Sequence, residues 1–294
     1  MNQKEIELMI KRLYWERKPN GIKSDYGRSW IIGSSSPFPN ATAIAALLCS
    51  KAGNGYTAIS VPEEVYQIVA TRVPMTDIFE CLETKNDDFV GENFSDQLKK
   101  YNSILIGNGM KVSKANYDFI TNIIREYEGN LIIDASALTM LSEYGIDILK
   151  QHKTNCRILL TPHLGEANKL FKTDIKSRDP EDYLENALSF SKTYDVSILL
   201  KSYKSILIAD NSYQRMDVGS TPSLGKAGSG DGLSGYLCGL LSYGEKYFSY
   251  SQLIEFGDWM IHSAAKKVED EKSSGFSSIL DVVDGIKEII SQYK

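Results

Sequence analysis

A glycine-rich turn that runs directly into a helical pattern, residues 223–241, carries the clearest chemical signal in this 294-residue chain. Gly228 and Gly230 permit positive φ angles and a close approach of the backbone to a ligand. Free N–H groups at a helix start, together with the positive end of the helix dipole, bind anions. Asp231 follows the turn and can serve as a helix N-cap or as a carboxylate base. The pattern predicts a phosphate held beside a hydroxyl group, whereas a tight turn capped by Asp231 is the purely structural alternative.

The helix that follows this turn has an apolar face and a narrow face. Leucines recur at helical spacing at positions 233, 237, 240 and 241, and small residues occupy positions 232, 234, 235 and 239. This spacing predicts a helix that is buried close to a sheet.

Other polar residues follow strand-like segments at several places. The segments are GSSS (33–36), GNG (107–109), DASA (134–137), TPHLGE (161–166) and KSYKS (201–205). Because ligands bind outside the carboxyl ends of parallel strands, we expect these residues to share one cleft. His163 lies between a proline and a turn and is interpreted as functional, whereas His152 and His262 are interpreted as structural or surface residues. Glu166 either caps the next helix, which is favoured, or binds Mg²⁺ through water.

Short apolar runs alternate with amphipathic segments along most of the chain. Strands are predicted over 29–32, 56–61, 103–106, 131–134, 157–161 and 196–201, with an antiparallel ribbon over 205–209 and 213–218. Helices are predicted over 1–17, 41–51, 63–71, 114–128, 138–150, 181–194, 231–242, 250–268 and 279–293. Repeated βαβ units of this kind predict one α/β domain, with a mostly parallel sheet between two layers of helices and an antiparallel edge.

Composition excludes several classes of partner. The net charge of −5 argues against nucleic acid as a partner, because binding to a phosphate backbone needs a clustered basic face.

The first 17 residues do not have the pattern of a signal peptide, and no run of about 18 apolar residues indicates a membrane helix. The four cysteines, at positions 49, 81, 156 and 238, are widely spaced, which favours buried, reduced thiols in a cytoplasmic protein. The P-loop and dinucleotide-binding glycine patterns are missing.

With these residues in place, the chain resembles the ADP/ATP-dependent NAD(P)H-hydrate dehydratases of the ribokinase-like superfamily. The segments that carry the resemblance are SDYGR (24–28), IIGS (31–34), IGNG (106–109), DASAL (134–138), TPHLGE (161–166), LKSYKS (200–205) and KAGSGD (226–231). TPHLGE and KAGSGD in this order are specific. GSGD alone indicates only the superfamily, which includes sugar, hydroxymethylpyrimidine and hydroxyethylthiazole kinases.

The resemblance implies a fold, a reaction and co-substrates. The fold is a ribokinase-like three-layer α/β/α sandwich in a single domain, 1–294. The reaction is metabolite repair: the terminal phosphate of ADP or ATP passes to the C6 hydroxyl of the S-epimer of hydrated NADH or NADPH, and phosphate is then eliminated. Mg²⁺ would bridge the phosphates. A cytoplasmic homotetramer is also implied.

The resemblance assigns roles to particular residues. Asp231 would take the hydroxyl proton and contact the substrate, and Gly228, Ser229 and Gly230 would hold the phosphoryl charge. The remaining substrate positions are Ala41, Gly109 and His163, and the remaining nucleotide positions are Lys201, Ser202, Tyr203, Lys204 and Ser205.

Three features depart from the family pattern. The loop at 34–41 lacks the usual glycines, Lys111 replaces a glycine, and Gly232 follows the base. The epimerase domain that some relatives carry in front is not expected here, so a separate epimerase or spontaneous epimerisation would supply the S-epimer.

Two alternative functions remain open on the sequence. A small-molecule kinase, acting on a sugar, pyrimidine or thiazole alcohol, would use the same turn and base but keep the phosphate on its product. A non-catalytic nucleotide-binding or assembly protein would retain the cleft without needing Asp231.

Overall fold

The computed structural model describes residues 1–74, 77–91, 94–210, 212–216, 219 and 221–294. Within these residues the chain alternates strands and helices as a β/α protein does. The helices are α1 (Gln3–Ile10), α2 (Ala41–Lys51), α3 (Glu63–Ala70), α4 (Ser95–Leu98), α5 (Lys114–Glu126), α6 (Ser136–Tyr144), α7 (Leu164–Phe171), α8 (Leu184–Tyr194), α9 (Ser229–Leu241), α10 (Tyr250–Lys272) and α11 (Ile279–Ser291). The strands are β1 (Arg28–Ile32), β2 (Tyr56–Ser60), β3 (Ile78–Phe79), β4 (Thr84–Lys85), β5 (Asp88–Phe89), β6 (Ser103–Ile106), β7 (Gly129–Ile133), β8 (Cys156–Leu160), β9 (Ser197–Leu200), β10 (Ile206–Ala209) and β11 (Ser212–Arg215).

The main sheet has the strand order β11-β10-β9-β8-β7-β6-β1-β2-β3. Its neighbours pair in parallel from β3 to β9, and β10 pairs antiparallel with both β9 and β11. The predicted parallel sheet and its antiparallel edge are therefore confirmed. Positions 217 and 218 of the predicted ribbon lie outside the described residues.

The strand order reverses at β1. The chain adds β2 and β3 on one side of β1 and then returns to place β6 on the other side. The helices that follow β1 and β6, α2 and α5, consequently lie on opposite faces of the sheet, which opens a crevice at its carboxyl end. The polar segments at 33–36 and 107–109 lie at this point.

Alternating side chains of the strands fill two apolar cores. On β1, Ile31 joins the core beneath α1, α2, α3, α9, α10 and α11, whereas Trp30 and Ile32 join the core beneath helices α4 to α8. All three side chains are fully buried. Strands that are apolar on both faces require helices on both faces, so the molecule has three layers.

Helix α9 packs so closely against α2 that side chains at two of its glycines would collide with the backbone of α2. A Cβ atom on Gly235 would lie 2.1 Å from the carbonyl oxygen of Ala45, and one on Gly239 would lie 2.5 Å from that of Cys49. The small residues of α9 therefore make this close packing possible, as the sequence predicted. This contact fixes the start of α9 above the end of the sheet.

Several local predictions were wrong. The helix predicted over 138–150 is interrupted at Gly145, whose φ of 150° ends α6, and Ile146–Gln151 forms a 3₁₀ helix. The N-terminal helix passes at Lys11–Trp15 into a π-helix. Three of the four cysteines are buried, as predicted, but Cys81 is exposed. Strand β3, the β4–β5 hairpin and helix α4 were not predicted, since they are short, and helix α7 was missed as well.

Among the described residues, no helix combines the length and apolar character needed to cross a bilayer.

Replacing Gly235 with alanine tests the close approach of α2 and α9. Alanine favours a helix by about 1 kcal/mol over glycine, so an open helical site would gain stability. Here the added methyl group collides with backbone, and we expect the free energy of unfolding in urea to fall by roughly 2 kcal/mol or more. Gly275→Ala is the control, because its Cβ would meet no atom within 4 Å, and should change stability by about 0.5 kcal/mol at most. Equal unfolding midpoints for the two variants would contradict the packing.

Candidate active site

The start of α9 is arranged as an anion site. Gly228 is its N-cap residue, with a left-handed φ of 91° and no capping side chain, and the helix begins at Ser229. Gly230 and Asp231 have backbone N–H groups without a hydrogen-bond partner among the described residues. Asp231 lies in the first turn and not at the N-cap, which contradicts the purely structural alternative of a turn capped by Asp231. Its carboxylate is therefore free to act on a ligand.

Asn108, fully buried in the loop after β6, connects the two carboxylates of the crevice. Its Nδ2 atom donates to Oδ1 of Asp231 at 2.7 Å, to Oγ of Ser234 at 3.2 Å and to Oδ2 of Asp134 at 3.3 Å. Its Oδ1 atom is buried without a partner among the residues described. The sequence pointed to this loop through Gly107, but an asparagine in a glycine-rich turn gave no separate signal.

Lys201, at the end of β9, forms an ion pair with Asp134, at the end of β7. Nζ lies 2.6 Å from Oδ1 of Asp134, and the two side chains are 17% and 1% exposed. Burial lowers the pKa of Lys201, but the carboxylates of Asp134, Glu166 and Asp231 outweigh it, so the net pKa is raised. A Cβ on Gly230 would lie 3.1 Å from Nζ, which places the ammonium group beside the start of α9.

The ionisation of Asp231 is set by its surroundings. Burial raises the pKa of Asp231 to about 6, and the negative charge of Asp134 acts in the same direction. The hydrogen bond from Asn108 and the charge of Lys201 lower the pKa, but to a smaller extent. Asp231 is consequently ionised near neutral pH yet far more basic than an ordinary aspartate, as a general base requires.

His163 is the N-cap of α7. Its Nδ1 atom accepts hydrogen bonds from the N–H groups of Gly165 at 3.0 Å and Glu166 at 3.2 Å. The carboxylate of Glu166 accepts from the backbone N–H of His163 at 2.9 Å, so the predicted capping role of Glu166 is confirmed. With Nδ1 occupied as an acceptor, the neutral ring carries its hydrogen on Nε2. Burial and the charge of Lys201 lower the pKa of His163, and burial raises the pKa of Glu166 to about 7.

A cavity of about 420 Å³ opens beside the start of α9. Its lining residues are His163, Lys201, Ser202, Tyr203, Thr221, Pro222, Leu224, Gly225, Lys226, Ser229, Gly230, Leu233, Ile261 and His262. Five predicted nucleotide positions, at 201–203, 229 and 230, are among them. Lys204 and Ser205 instead line a separate pocket of about 180 Å³.

His262 lines the cavity, although the sequence gave it no functional role. It is buried, its Nδ1 atom contacts the Oγ1 atom of Thr221 at 2.6 Å, and Nε2 lies 3.7 Å from the buried carboxylate of Asp258. Burial raises the pKa of Asp258. An aspartate and a histidine four residues apart on one helix were the available signal.

Ala41 and Gly109 meet on the other side of the crevice. Gly109 has a φ of 67°, and a Cβ on it would lie 2.7 Å from that of Ala41 and 2.8 Å from the carbonyl oxygen of Phe38. Two further hydrogen bonds join the loops: the N–H of Ser34 donates to the carbonyl of Asn108, and Oγ of Ser35 donates to that of Gly109, both at 2.7 Å. Two of the predicted substrate positions, Ala41 and Gly109, are thus brought together by the loops after β1 and β6, whereas His163 lines the cavity beside Lys201.

No group of three or more histidine, cysteine, aspartate or glutamate residues in the described part of the chain could hold a metal ion alone. Mg²⁺ usually binds one or two carboxylates together with waters and substrate phosphates. Asp134 and Asp231, which both accept from the amide of Asn108, are the carboxylates that a Mg²⁺ ion arriving with nucleotide phosphates would meet in this crevice.

Comparison with known sequences shows relatives over most of the chain. A sequence model described as NAD(P)H-hydrate dehydratase matches residues 29–283. The bifunctional NAD(P)H-hydrate repair enzyme Nnr of Salinibacter ruber is 26% identical over 242 residues, which cover 79% of this chain and 43% of that protein. The ADP-dependent (S)-NAD(P)H-hydrate dehydratase of Staphylococcus aureus is 27% identical over 224 residues, which cover 76% of this chain and 75% of that protein. The chain thus spans less than half of the length of the bifunctional Salinibacter ruber relative.

Comparison with solved structures shows the fold. The ADP/ATP-dependent NAD(P)H-hydrate dehydratase of Bacillus subtilis, co-crystallised with ATP and Mg²⁺, aligns with a TM-score of 0.78 and 18% identity over 98% of this chain and 97% of that chain. A ribokinase-like superfamily protein from Enterococcus faecalis gives the same TM-score and identity, over 98% of this chain and 94% of that chain. The predicted ribokinase-like fold is confirmed.

The pKa of Asp231 tests the site geometry directly. Asn108→Ala removes the donor that stabilises the ionised carboxylate, so we expect the pKa of Asp231 to move above about 6 in a carbon-13 NMR titration. Asn155→Ala, an exposed asparagine at the opposite edge of the sheet, should leave it unchanged. An unchanged or lower pKa in Asn108→Ala would show that the contact does not act on Asp231.

Proposed function

Because this chain belongs to the NAD(P)H-hydrate dehydratase family, we propose that it converts the S-epimer of hydrated NADH or NADPH back to the reduced cofactor, with ADP or ATP as phosphoryl donor. One observation carries this proposal: an aspartate with a pKa of about 6 borders an anion-binding helix start that opens into a cavity of nucleotide size. The proposed role is repair of damaged nicotinamide cofactors.

The chemistry needs a base and an acceptor for negative charge. Asp231 takes the proton of the C6 hydroxyl, while the oxygen of that hydroxyl attacks the terminal phosphorus of the nucleotide. AMP or ADP leaves. Breakage of the C6–O bond then releases inorganic phosphate, and loss of the proton at C5 restores the ring double bond. A positioned base of this kind accounts for roughly 10²- to 10⁴-fold in rate.

The start of α9 and Lys201 stabilise the phosphoryl group. The N–H groups of Gly230 and Asp231 point to the anion position, and Lys201 supplies a fixed positive charge beside them. Preorganised donors of this type typically contribute about 10²- to 10³-fold each. Mg²⁺ that arrives with the nucleotide phosphates would neutralise phosphate charge beside Asp134, which leaves the carboxylate of Asp231 to accept the proton.

The two sides of the crevice receive the two substrates. The adenine nucleotide occupies the cavity lined by Lys201, Ser202 and Tyr203, and the hydrated dinucleotide lies against Ala41 and Gly109 and reaches His163, which lines the same cavity. His163 would donate from Nε2 to an acceptor on the substrate, since its Nδ1 atom is occupied by the helix cap.

The proposal also covers the cellular location, the domain organisation, the oligomeric state and a partner enzyme. Four free cysteines support a cytoplasmic location, and the continuous nine-stranded sheet supports a single domain over 1–294. The resemblance supports a homotetramer. Fusion of repair activities in the bifunctional Salinibacter ruber relative supports cooperation with a separate epimerase.

A coupled assay tests the proposed reaction. Hydrated NADH or NADPH with ADP or ATP should yield free phosphate and the absorbance of the reduced nicotinamide in equal amounts. Asp231→Asn should lower the rate by roughly 10²- to 10⁴-fold, whereas Asp118→Asn, on the surface of α5, should not. Turnover only with a sugar, pyrimidine or thiazole alcohol, with phosphate kept on the product, would identify a kinase instead. Unchanged activity in Asp231→Asn would exclude the proposed base.

Thermal unfolding of Asp231→Asn separates catalysis from folding. The folded-state pKa of Asp231 lies above its usual value, so the ionised carboxylate opposes folding above about pH 6. We therefore expect the melting temperature of Asp231→Asn at pH 7.5 to equal or exceed that of the wild type. A large decrease would mean that lost activity reflects lost structure.

The pH dependence of kcat/KM provides a further test. Below about pH 6 the carboxyl group of Asp231 is protonated and cannot accept the hydroxyl proton, so kcat/KM should fall about tenfold per pH unit there and level off above. Glu166→Gln removes the other carboxyl group beside Lys201 whose pKa is raised, and kcat/KM of this variant should still fall below about pH 6. A decrease that disappears in Glu166→Gln would assign the titration to Glu166.

A further inference from the structure

Lys111, which stands where the resemblance expects a glycine, contacts the β4–β5 hairpin. Its Nζ atom donates to Oδ2 of Asp88 and to the carbonyl oxygen of Asn86, both at 2.8 Å. Its φ is not positive, so the backbone there does not require glycine. The side chain therefore provides a link between the loop after β6 and the hairpin that a glycine could not make.

The same hairpin also holds the loop after β1. The carboxylate of Asp87 accepts from the backbone N–H of Ser36 at 3.1 Å and from its hydroxyl group at 3.0 Å. Asn86 and Asp87 form the turn with φ angles of 52° and 64°, a conformation that asparagine and aspartate tolerate best. The tip of the hairpin thus presents Asp87 to one loop and Asp88 to the other.

A buried amide fixes the hairpin in this place. Asn116, fully buried on α5, donates from Nδ2 to the carbonyl oxygens of Asp87 at 3.1 Å and Lys111 at 2.9 Å, and its Oδ1 atom accepts from the N–H of Phe89 at 2.8 Å. Separating these groups would leave buried polar atoms unpaired, which is costly. The hairpin and the loop after β6 therefore move as one unit.

The two loops held in this way are those that meet at Gly109 and Ala41. We propose that Asp87, Asp88 and Lys111 form a positioning clamp that sets the loops after β1 and β6 for the hydrated dinucleotide. The identity of the substrate in this proposal rests on the proposed function, but the effect of the clamp on the two loops does not. Since the nucleotide cavity is lined by other residues, the clamp acts on one substrate only.

Kinetic constants of clamp variants test this assignment. Lys111→Met and Asp88→Asn should each raise KM for hydrated NADH roughly three- to tenfold, with KM for the nucleotide changed less than about twofold. Lys111→Arg should restore most of the loss, and the effect of the double variant should be clearly smaller than the combined effects of the two single variants, because the contact between Lys111 and Asp88 is lost in both. Lys153→Met is the matched control, since Lys153 pairs with Glu128 at 2.9 Å away from the crevice. Equal changes in both KM values, or additive effects in the double variant, would overturn the clamp.

Hydrogen exchange separates the clamp from the proposed reaction. The backbone amides of residues 34–36 and of Phe38 should exchange faster in Lys111→Met than in the wild type or in Lys153→Met, whether or not the protein dehydrates a nucleotide. Unchanged exchange would overturn the clamp even in an active enzyme. Faster exchange in a protein without dehydratase activity would support the clamp and reject the proposed function.

Discussion

The ammonium group of Lys201 is buried among the carboxylates of Asp134, Glu166 and Asp231, and this grouping of charges determines the character of the crevice. One positive charge cannot stabilise three buried negative charges. Asp134 lies closest and forms the ion pair, while Glu166 and Asp231 are left with raised pKa values of about 7 and 6. Burial is the main cause of both raised pKa values, and the negative charge of Asp134 adds to it, so a basic carboxylate lies beside a fixed cation.

The sheet topology brings these groups together. Asp134 follows β7, Lys201 follows β9 and Asn108 follows β6, so all three lie at the carboxyl ends of the strands. The reversal of strand order at β1 opens the crevice between the loops of β1 and β6, and the glycine-dependent packing of α9 on α2 places Asp231 above it. The fold therefore supplies the position, and the buried charges supply the reactivity.

Much of this arrangement could be predicted from the sequence, because apolar strands and the residues after them leave clear local patterns. The strand 103–106 and the helix 41–51 agree with β6 and α2 at both ends. The contacts of Asn108 and the position of His262 could not be predicted, since each depends on residues more than 25 positions away or on a cavity wall formed by several elements. The capping role of His163 was missed for another reason: a ring nitrogen is an uncommon helix cap. The hairpin that contacts Lys111 has strands of two residues, which are too short to leave a pattern.

The central claim is that the oxygen on C6 attacks the phosphoryl group held at the start of α9 and leaves with it. Hydrated NADH labelled with oxygen-18 at the C6 hydroxyl tests this directly, by mass spectrometry of the phosphate released with ADP or ATP. We expect one oxygen-18 atom in each phosphate formed. Unlabelled phosphate, with the label recovered in water, would show that nucleotide cleavage and dehydration do not share the proposed intermediate.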